Sequence, residues 1–474
     1  MDGNEEAANW SSGVLRERGF KVTVQQVMHS QPRISQRQFN VIGVLGNPLV
    51  ERKIRRGLLL VSHLDTGEPG QASAWTECNG DPYRLEVRDD AFYGLGTANA
   101  KIDFLCRLHA AQRFRERKLR EPVYVVGTCG AETGMYGVKY LIQSLAVNPR
   151  WVLVSLPTGL DVVHAHKSAA LFKIAVRYHV VDRDAKGFNR RVNLHAIGRS
   201  GPAALPEDGF NAVTQLFKFI GRANESGFET RLTRLSGGTL LNQIPDRATA
   251  EFYLTSHQFE DFKRFFRDVT QGADPSGFEI ELGGLGDMGI GFLPEVLFEC
   301  LTGLTTFVKE LASGMADRRD PGYETPEATT SLSAVRQAPS LTELLFDVRM
   351  LPGASEKDLL EKVRTGIAKV AARYPSLNVS VDLETSAPEL DLPADHPWVL
   401  KCAETLEAAG VVSKARKSSF NSEAGFFAKK GYDVACFGPG GADGGIYGPN
   451  EHVRLEDIQK ATHFYEQLIE RVCT

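Results

Sequence analysis

The chain has 474 residues, 42% of them hydrophobic, with 55 basic and 59 acidic side chains and a formal net charge of −4. That is enough for a sizeable core and about three domain-sized units, and the lack of a basic block or an aromatic-interleaved cationic patch excludes a nucleic-acid binder. The acidic start "MDGNEEAANW" has no signal-peptide pattern, no apolar run is long enough to span a bilayer, and the seven scattered cysteines form no CxxC pair, so a cytoplasmic protein with reduced thiols and no membrane partner is expected.

Residues 1–170 alternate strand-like and helix-like segments. "FKVTVQQV" and "RGLLLVSHL" read as strands, "AKIDFLCRLHAAQRFRERK" as a helix, "PVYVVGT" as a strand, "MYGVKYLIQSL" as a helix and "PRWVLVSL" as a strand. This predicts an α/β sheet covered by helices, with function at the strand ends. From 171 the texture changes to strand pairs with helices between them: "LFKIAVRYHV", "RRVNLHAIG", a helix from near Glu207, "FETRLTRLSGG", "RATAEFYLTS", the helix "HQFEDFKRFFRDV" and "GFEIELGG". The helix "LPEVLFECLTGLTTFVKELA" and a polar loop follow, and then the order recurs in "TTSLSAVRQ", "LTELLFDVRML", the helix "SEKDLLEKVRTGIAKVAARY" and "LNVSVDLE". Residues 171–384 are therefore expected to be an inserted α+β domain of two related halves, 171–284 and 285–384, within an α/β domain of 1–170 and 385–474. The last stretch closes with the helix "HPWVLKCAETLEAAG", the strand and loop "DVACFGPGG" and the helix "RLEDIQKATHFYEQLIERV".

Five short motifs fall at strand ends of the α/β part: "SHLDTG" (62–67), "YGLGTANAK" (93–101), "GTCGAETG" (127–134), "SLPTGL" (155–160) and "FGPGGADGGIYGPNEH" (437–452). Each alone could be a turn. Together, with "PEDGFNAV", "GGTLLNQIPDRATAEF" and "DVRMLPG" in the insertion, they resemble the co-catalytic zinc peptidase and deacylase family. That family includes acetylornithine deacetylase, succinyl-diaminopimelate desuccinylase, carboxypeptidase G, the aminoacylases and the long dipeptidases. The resemblance covers nearly the whole chain. It implies a zinc-peptidase-like α/β/α catalytic domain and an inserted lid of two ferredoxin-like halves.

It also implies a site that this chain fills unusually. Family members hold two zinc ions around a bridging carboxylate, with a separate Glu as general base. His63 and Asp65 match the ligand histidine and the acid that orients it, and Glu132 matches a ligand acid. Asn99 stands where the bridging Asp is expected, Ala131 where the general base is, Leu156 where a ligand acid is and Tyr447 where a ligand histidine is. Pro202 takes the place of the lid histidine that polarises the scissile carbonyl. With two of five ligands left, no metal and no cofactor are expected. Asn242 matches a substrate-carboxylate contact, and Arg349 falls at an arginine-bearing pattern, either as a carboxylate clamp or paired with Asp347. Gly440 lies in a Gly-rich loop that suits an anion or simply a tight turn. Cys129 reads as a packed thiol rather than a nucleophile. His164 and His166 share one face of a strand, as a metal pair or as ordinary polar residues.

The reading that follows is a metal-independent enzyme acting on an amino-acid- or peptide-like small molecule between the domains, with a biosynthetic pathway as its expected setting. Tyr447, Glu132, His63 and Asn99 would carry its chemistry, and Asn242, Arg349, Asp65 and Gly440 would bind the substrate. The alternative is a non-catalytic pseudoenzyme serving as ligand sensor or partner scaffold, which the loss of polarity at Ala131, Leu156 and Pro202 favours; a residual zinc-dependent amidohydrolase ranks last. The doubled lid resembles a dimer contact folded into one chain, which favours a monomer over a homodimer.

Overall fold

A computed structural model describes residues 3–28, 37–47, 54–144, 146–179, 187–239, 241–270, 277–283, 291–315, 318–446 and 448–474. These fall into two compact units, one drawn from 1–168, 321–324 and 387–474, the other from 169–320 and 325–386. Residues 321–324, expected within the insertion, cluster with the first unit: Glu324 accepts hydrogen bonds from Arg416 and from the Ser419 amide.

In chain order the first unit opens with α1 (Glu5–Glu17), β1 (Lys21–Val27), β2 (Gln38–Leu45), β3 (Leu58–His63), β4 (Glu86–Arg88), β5 (Ala91–Tyr93), α2 (Lys101–Gln112), β6 (Val123–Thr128), α3 (Tyr136–Gln143), β7 (Trp151–Val154) and β8 (Val162–His166). Helix α1 and strand β2 have no counterpart among the predicted elements. Helix α2 is shorter than its sequence pattern, because beyond Gln112 the chain tightens into turns in which Phe114 bonds back to Ala111 and Arg115 to Gln112.

The second unit contains β9 (Ser168–Arg177), β10 (Phe188–Ile197), α4 (Ala212–Glu225), β11 (Arg231–Gly237), β12 (Arg247–Thr255), α5 (Ser256–Thr270), β13 (Gly277–Leu282), α6 (Glu295–Ser313), β14 (Thr329–Ala338), β15 (Leu341–Met350), α7 (Glu356–Ala371) and β16 (Asn378–Ala387). Its eight strands form one sheet in the order β13-β10-β12-β11-β14-β15-β9-β16. Strands β10 to β13 with α4 and α5 make one βαββαβ half. Strands β9, β14, β15 and β16 with α6 and α7 make the other. The predicted division at 284/285 is thus corrected: the first strand of the second half, β9, precedes the whole first half, because it pairs with β15 and β16 and not with its sequence neighbour β10. Helix α4 starts at Ala212 rather than near Glu207, where Asn211 caps it by accepting the Thr214 amide.

The chain then returns to the first unit with β17 (Leu390–Asp391), α8 (Pro397–Ala408), β18 (Ala415–Ser418), α9 (Ala424–Lys429), β19 (Asp433–Cys436), β20 (His452–Arg454) and α10 (Leu455–Cys473). The main sheet runs β1-β2-β6-β3-β7-β19-β8-β17, with β18 also on β8, and its centre, β6, β3, β7 and β19, is parallel. Strands β3 and β6 are buried along their whole length, as continuous apolar runs in a sheet covered on both faces must be. Leu58 and Leu60 join the core beneath α2, α8 and α10, whereas Leu59 and Val61 join the core beneath α3 and α9. The result is three layers, helix on sheet on helix, and the parallel strands deliver their carboxyl ends to one edge.

Candidate functional site

Strand β3 ends at His63 and β6 at Thr128, and these two residues are register partners. Beyond Thr128 the chain turns at Gly130, which adopts φ +67°, a region an L side chain rarely occupies. The Gly130 carbonyl collects the amides of Thr133, Gly134 and Met135, and the single turn so formed presents Ala131 and Glu132. Asp65 ties the two strand ends together: its Oδ1 accepts the Ala131 amide at 3.2 Å and its Oδ2 the Glu132 amide at 2.9 Å.

Asn99 comes from the loop that enters α2, and this loop is wrapped around Glu451. One oxygen of Glu451, Oε1, accepts the amides of Gly96, Ala98 and Asn99 at 3.1, 3.0 and 3.0 Å, and the Glu451 carbonyl accepts the Gly94 amide. Burial pushes the Glu451 carboxyl up to about 7, against the three amides, which favour its charged form, and with the nearby Glu132 charge adding to the rise. Gly440, at φ +76°, lets the Gly-rich loop pass beside Ala98, where a Cβ would stand 3.2 Å from the Ala98 Cβ, and its carbonyl accepts the Gly159 amide. The tight-turn role of that loop is therefore the one visible in the geometry.

The side chains of His63, Asn99 and Glu132 form a continuous chain. Asn99 Nδ2 donates to Glu132 Oε1 at 3.1 Å, which leaves Asn99 Oδ1 facing His63 Nε2 at 3.0 Å. His63 Nδ1 faces the Asp65 carbonyl oxygen at 2.8 Å. Both ring nitrogens thus face oxygen atoms, an arrangement that suits the doubly protonated ring. Its electrostatic surroundings agree: burial alone would lower its pKa, but the carboxylates of Asp65, Glu132 and Glu423, with the Asn99 hydrogen bond, hold it at about 9.

Glu423 and Glu451 were not among the residues singled out in the sequence. Glu423 immediately precedes α9, is 3% exposed and accepts a hydrogen bond from Thr128 Oγ1 on Oε2 at 2.8 Å. Its Oε1 is buried and meets no hydrogen-bond partner among the described residues. Burial pushes its carboxyl up to about 7 despite the nearby His63 charge.

The remaining predicted residues are placed as follows. Leu156 packs against the core under α3 and α9. Cys129 is fully buried and burial drives its thiol pKa far up, which agrees with a packed thiol. His164 and His166 are buried in β8 and engaged, His164 with the Leu392 carbonyl, and His166 with the Lys167 carbonyl and the Ser422 hydroxyl. Tyr447 lies outside the described residues. Pro202, Asn242 and Arg349 belong to the second unit. There Pro202 bridges Gln243, the Asn242 carbonyl accepts the Ala203 amide, and Arg349, 5% exposed, donates from Nε to Asp347 at 2.6 Å. The pairing of Arg349 with Asp347 is thus present. Among the described residues, no group of three or more His, Cys, Asp or Glu is arranged to hold a metal ion.

The chain is 23% identical to the acetylornithine deacetylase of Proteus mirabilis over 99% of its own length and 90% of that protein's. It is 22% identical to the acetylornithine deacetylase of Photorhabdus laumondii over 99% and 91%. In fold it is similar to the Saccharomyces cerevisiae dipeptidase Dug1p (TM-score 0.61, 11% identity, 98% of this chain and 90% of that one) and to human carnosine dipeptidase 1 (TM-score 0.59, 14% identity, 97% and 89%). Residues 59–471 match the pattern of peptidase family M20/M25/M40, and the chain belongs to that family.

Proposed function

We propose that this protein is a metal-independent enzyme acting on an amino-acid- or peptide-like small molecule at the strand ends of its α/β unit. The observation that carries the reading is the His63–Asn99–Glu132 chain. A zinc ligand histidine offers a lone pair, and a bridging ligand offers anionic oxygens. Here the His63 lone pair on Nε2 is taken up by a proton given to Asn99, and a neutral amide occupies the bridging position. This donor set does not fit a pair of zinc ions. What replaces the ions is a buried imidazolium held against carboxylates. In such a site Glu132 can move a proton and Asn99 can orient a substrate amide, and the sequence pattern adds the Tyr447 hydroxyl as a candidate donor.

The likeness to deacetylases and dipeptidases favours N-acyl amino acids and short peptides as the first compounds to try. The purified protein would be assayed against such a panel with and without a strong chelator, and its zinc content measured. Turnover that survives the chelator and is lost in Glu132→Gln is expected. Near-stoichiometric zinc that depends on His63 and Glu132, or activity restored only by zinc, overturns the reading in favour of a residual zinc amidohydrolase. The scaffold reading rests on Leu156 and Ala131, which remove polarity without replacing it. It gains if His63→Ala, Glu132→Gln and Tyr447→Phe all leave the producing organism unchanged while deletion of the chain does not.

A further inference from the structure

Four carboxylates, Asp65, Glu132, Glu423 and Glu451, gather at the ends of β3 and β6, against the two cations His63 and Lys101. Their hydrogen-bond needs are met unequally. Asp65 takes two backbone amides, Glu451 takes three, and Glu132 takes the Asn99 amide. Glu423 takes one hydroxyl on Oε2, and its Oε1, in a side chain only 3% exposed, meets no donor among the described residues. A buried carboxylate oxygen without a donor is costly, and each such atom in a folded protein calls for a partner that comes from elsewhere. The carboxylate is held at the strand ends by Thr128, the register partner of His63, and its charge interacts with both His63 and Asp65.

We propose that this position receives the primary ammonium group of the substrate, with Glu423 Oε1 as its acceptor. The inference rests on the proposed function and names the class of its substrate: an aliphatic amine, as in an amino-acid derivative with a free amino group. An ammonium brings three donors and a positive charge into a region where, among the described residues, acids outnumber cations, whereas an added carboxylate would meet net repulsion. A metal ion is the poorer occupant, since it needs three or more converging ligands and no such group exists among the described residues.

The test uses the whole protein and three probes of equal length: n-pentylamine, 1-pentanol and pentanoate. The side-chain resonances of His63 report binding at the site by NMR, and zinc chloride is titrated separately. Pentylamine alone is expected to shift them saturably, at least tenfold more tightly than pentanol, and Glu423→Gln is expected to remove that preference with the spectrum otherwise intact. Equal binding of amine and alcohol, tighter binding of pentanoate, or stoichiometric zinc at the site overturns the proposal. The wild-type comparison of amine with alcohol decides the matter even if the variant fails to fold. Amine binding without turnover on the peptide panel would leave the ammonium site standing and remove the enzyme. Chelator-resistant turnover without amine selectivity would do the reverse.

Discussion

The first unit buries two charged clusters, and they are built to opposite rules. Between α2 and α10, Arg107 is fully buried and every direction of its guanidinium is used: Nε and Nη2 on Asp103 Oδ2 at 2.8 Å, Nη1 on the carbonyls of Val61 and Leu153, and Nη2 on the Phe437 carbonyl and the Tyr465 hydroxyl. Tyr465 closes the ring by donating to Asp103 Oδ1 at 2.6 Å. This cluster ties the carboxyl ends of β3 and β7, and the residue after β19, to two helices. The other cluster, at His63 and Glu423, holds more charge and keeps one oxygen, Glu423 Oε1, without a donor among the described residues. A closed network fixes a structure; an open one has free energy to offer a ligand.

The largest effect should come from opening the closed cluster. Arg107→Ala leaves Asp103 buried without its cation and takes one donor from each of the Val61, Leu153 and Phe437 carbonyls, a loss of about 3–5 kcal/mol by the usual cost of breaking a buried pair. Urea denaturation checks it. A loss below about 1 kcal/mol, within the range of an exposed ion pair, would show that the closed cluster does not hold the sheet.

The difference between the clusters also bears on what a sequence can disclose. Asn99, Ala131 and Leu156 are legible because each sits in a motif anchored by its neighbours, so an amide, a methyl and an isobutyl group stand out where acids are expected. The parallel core is legible for a similar reason: "LLLV" and "VYVV" are strands apolar on both faces. Glu423 gives no such signal. It reads as an ordinary acid before a short helix, and its meaning depends on Thr128, which lies 295 residues away along the chain. Glu451 is likewise recognisable only once the 94–99 loop is seen folded around it, more than 350 residues from its own position. The pairing of β9 with β15 and β16 is of the same kind, since a strand's own residues do not name a distant partner.

The second prediction separates the clusters by pH. His63 has its folded pKa raised from 6.5 to about 9, so the stability it contributes is complete below 6.5 and is lost as pH rises through 9. Glu423 has its pKa raised from 4.5 to about 7 by burial, so it too favours the folded state most below 4.5 and loses that contribution as pH rises through 7. Both slopes have the same sign, and each spans about 3–4 kcal/mol at most, since one pKa unit is about 1.4 kcal/mol. The two groups interact, so the sum is smaller than twice that. Unfolding of the wild type and of His63→Gln would be compared from pH 5 to 9.5. The difference between them should shrink between 6.5 and 9, and a constant difference would mean that His63 is not the imidazolium its hydrogen bonds suit.

The smallest effect tests how the open cluster is held. Thr128→Val removes the hydroxyl that donates to Glu423 while keeping the side-chain shape, and a single hydrogen bond to a carboxylate contributes about 1.5–3 kcal/mol to the folded state if that carboxylate is charged. If Glu423 is largely neutral, the loss falls to about 1 kcal/mol, because a neutral acid accepts a weaker bond. The same substitution measured at pH 5 and at pH 8.5 therefore reads the charge of Glu423 through its neighbour: the cost should be larger at the higher pH, where the acid is ionised. With pentylamine present the two costs should converge, since a bound ammonium would keep Glu423 charged at both pH values. Convergence of this kind would connect the unpartnered oxygen to ligand binding without any substitution at Glu423 itself. Equal costs at both pH values, with and without the amine, would instead place Glu423 with the closed cluster as a purely structural acid.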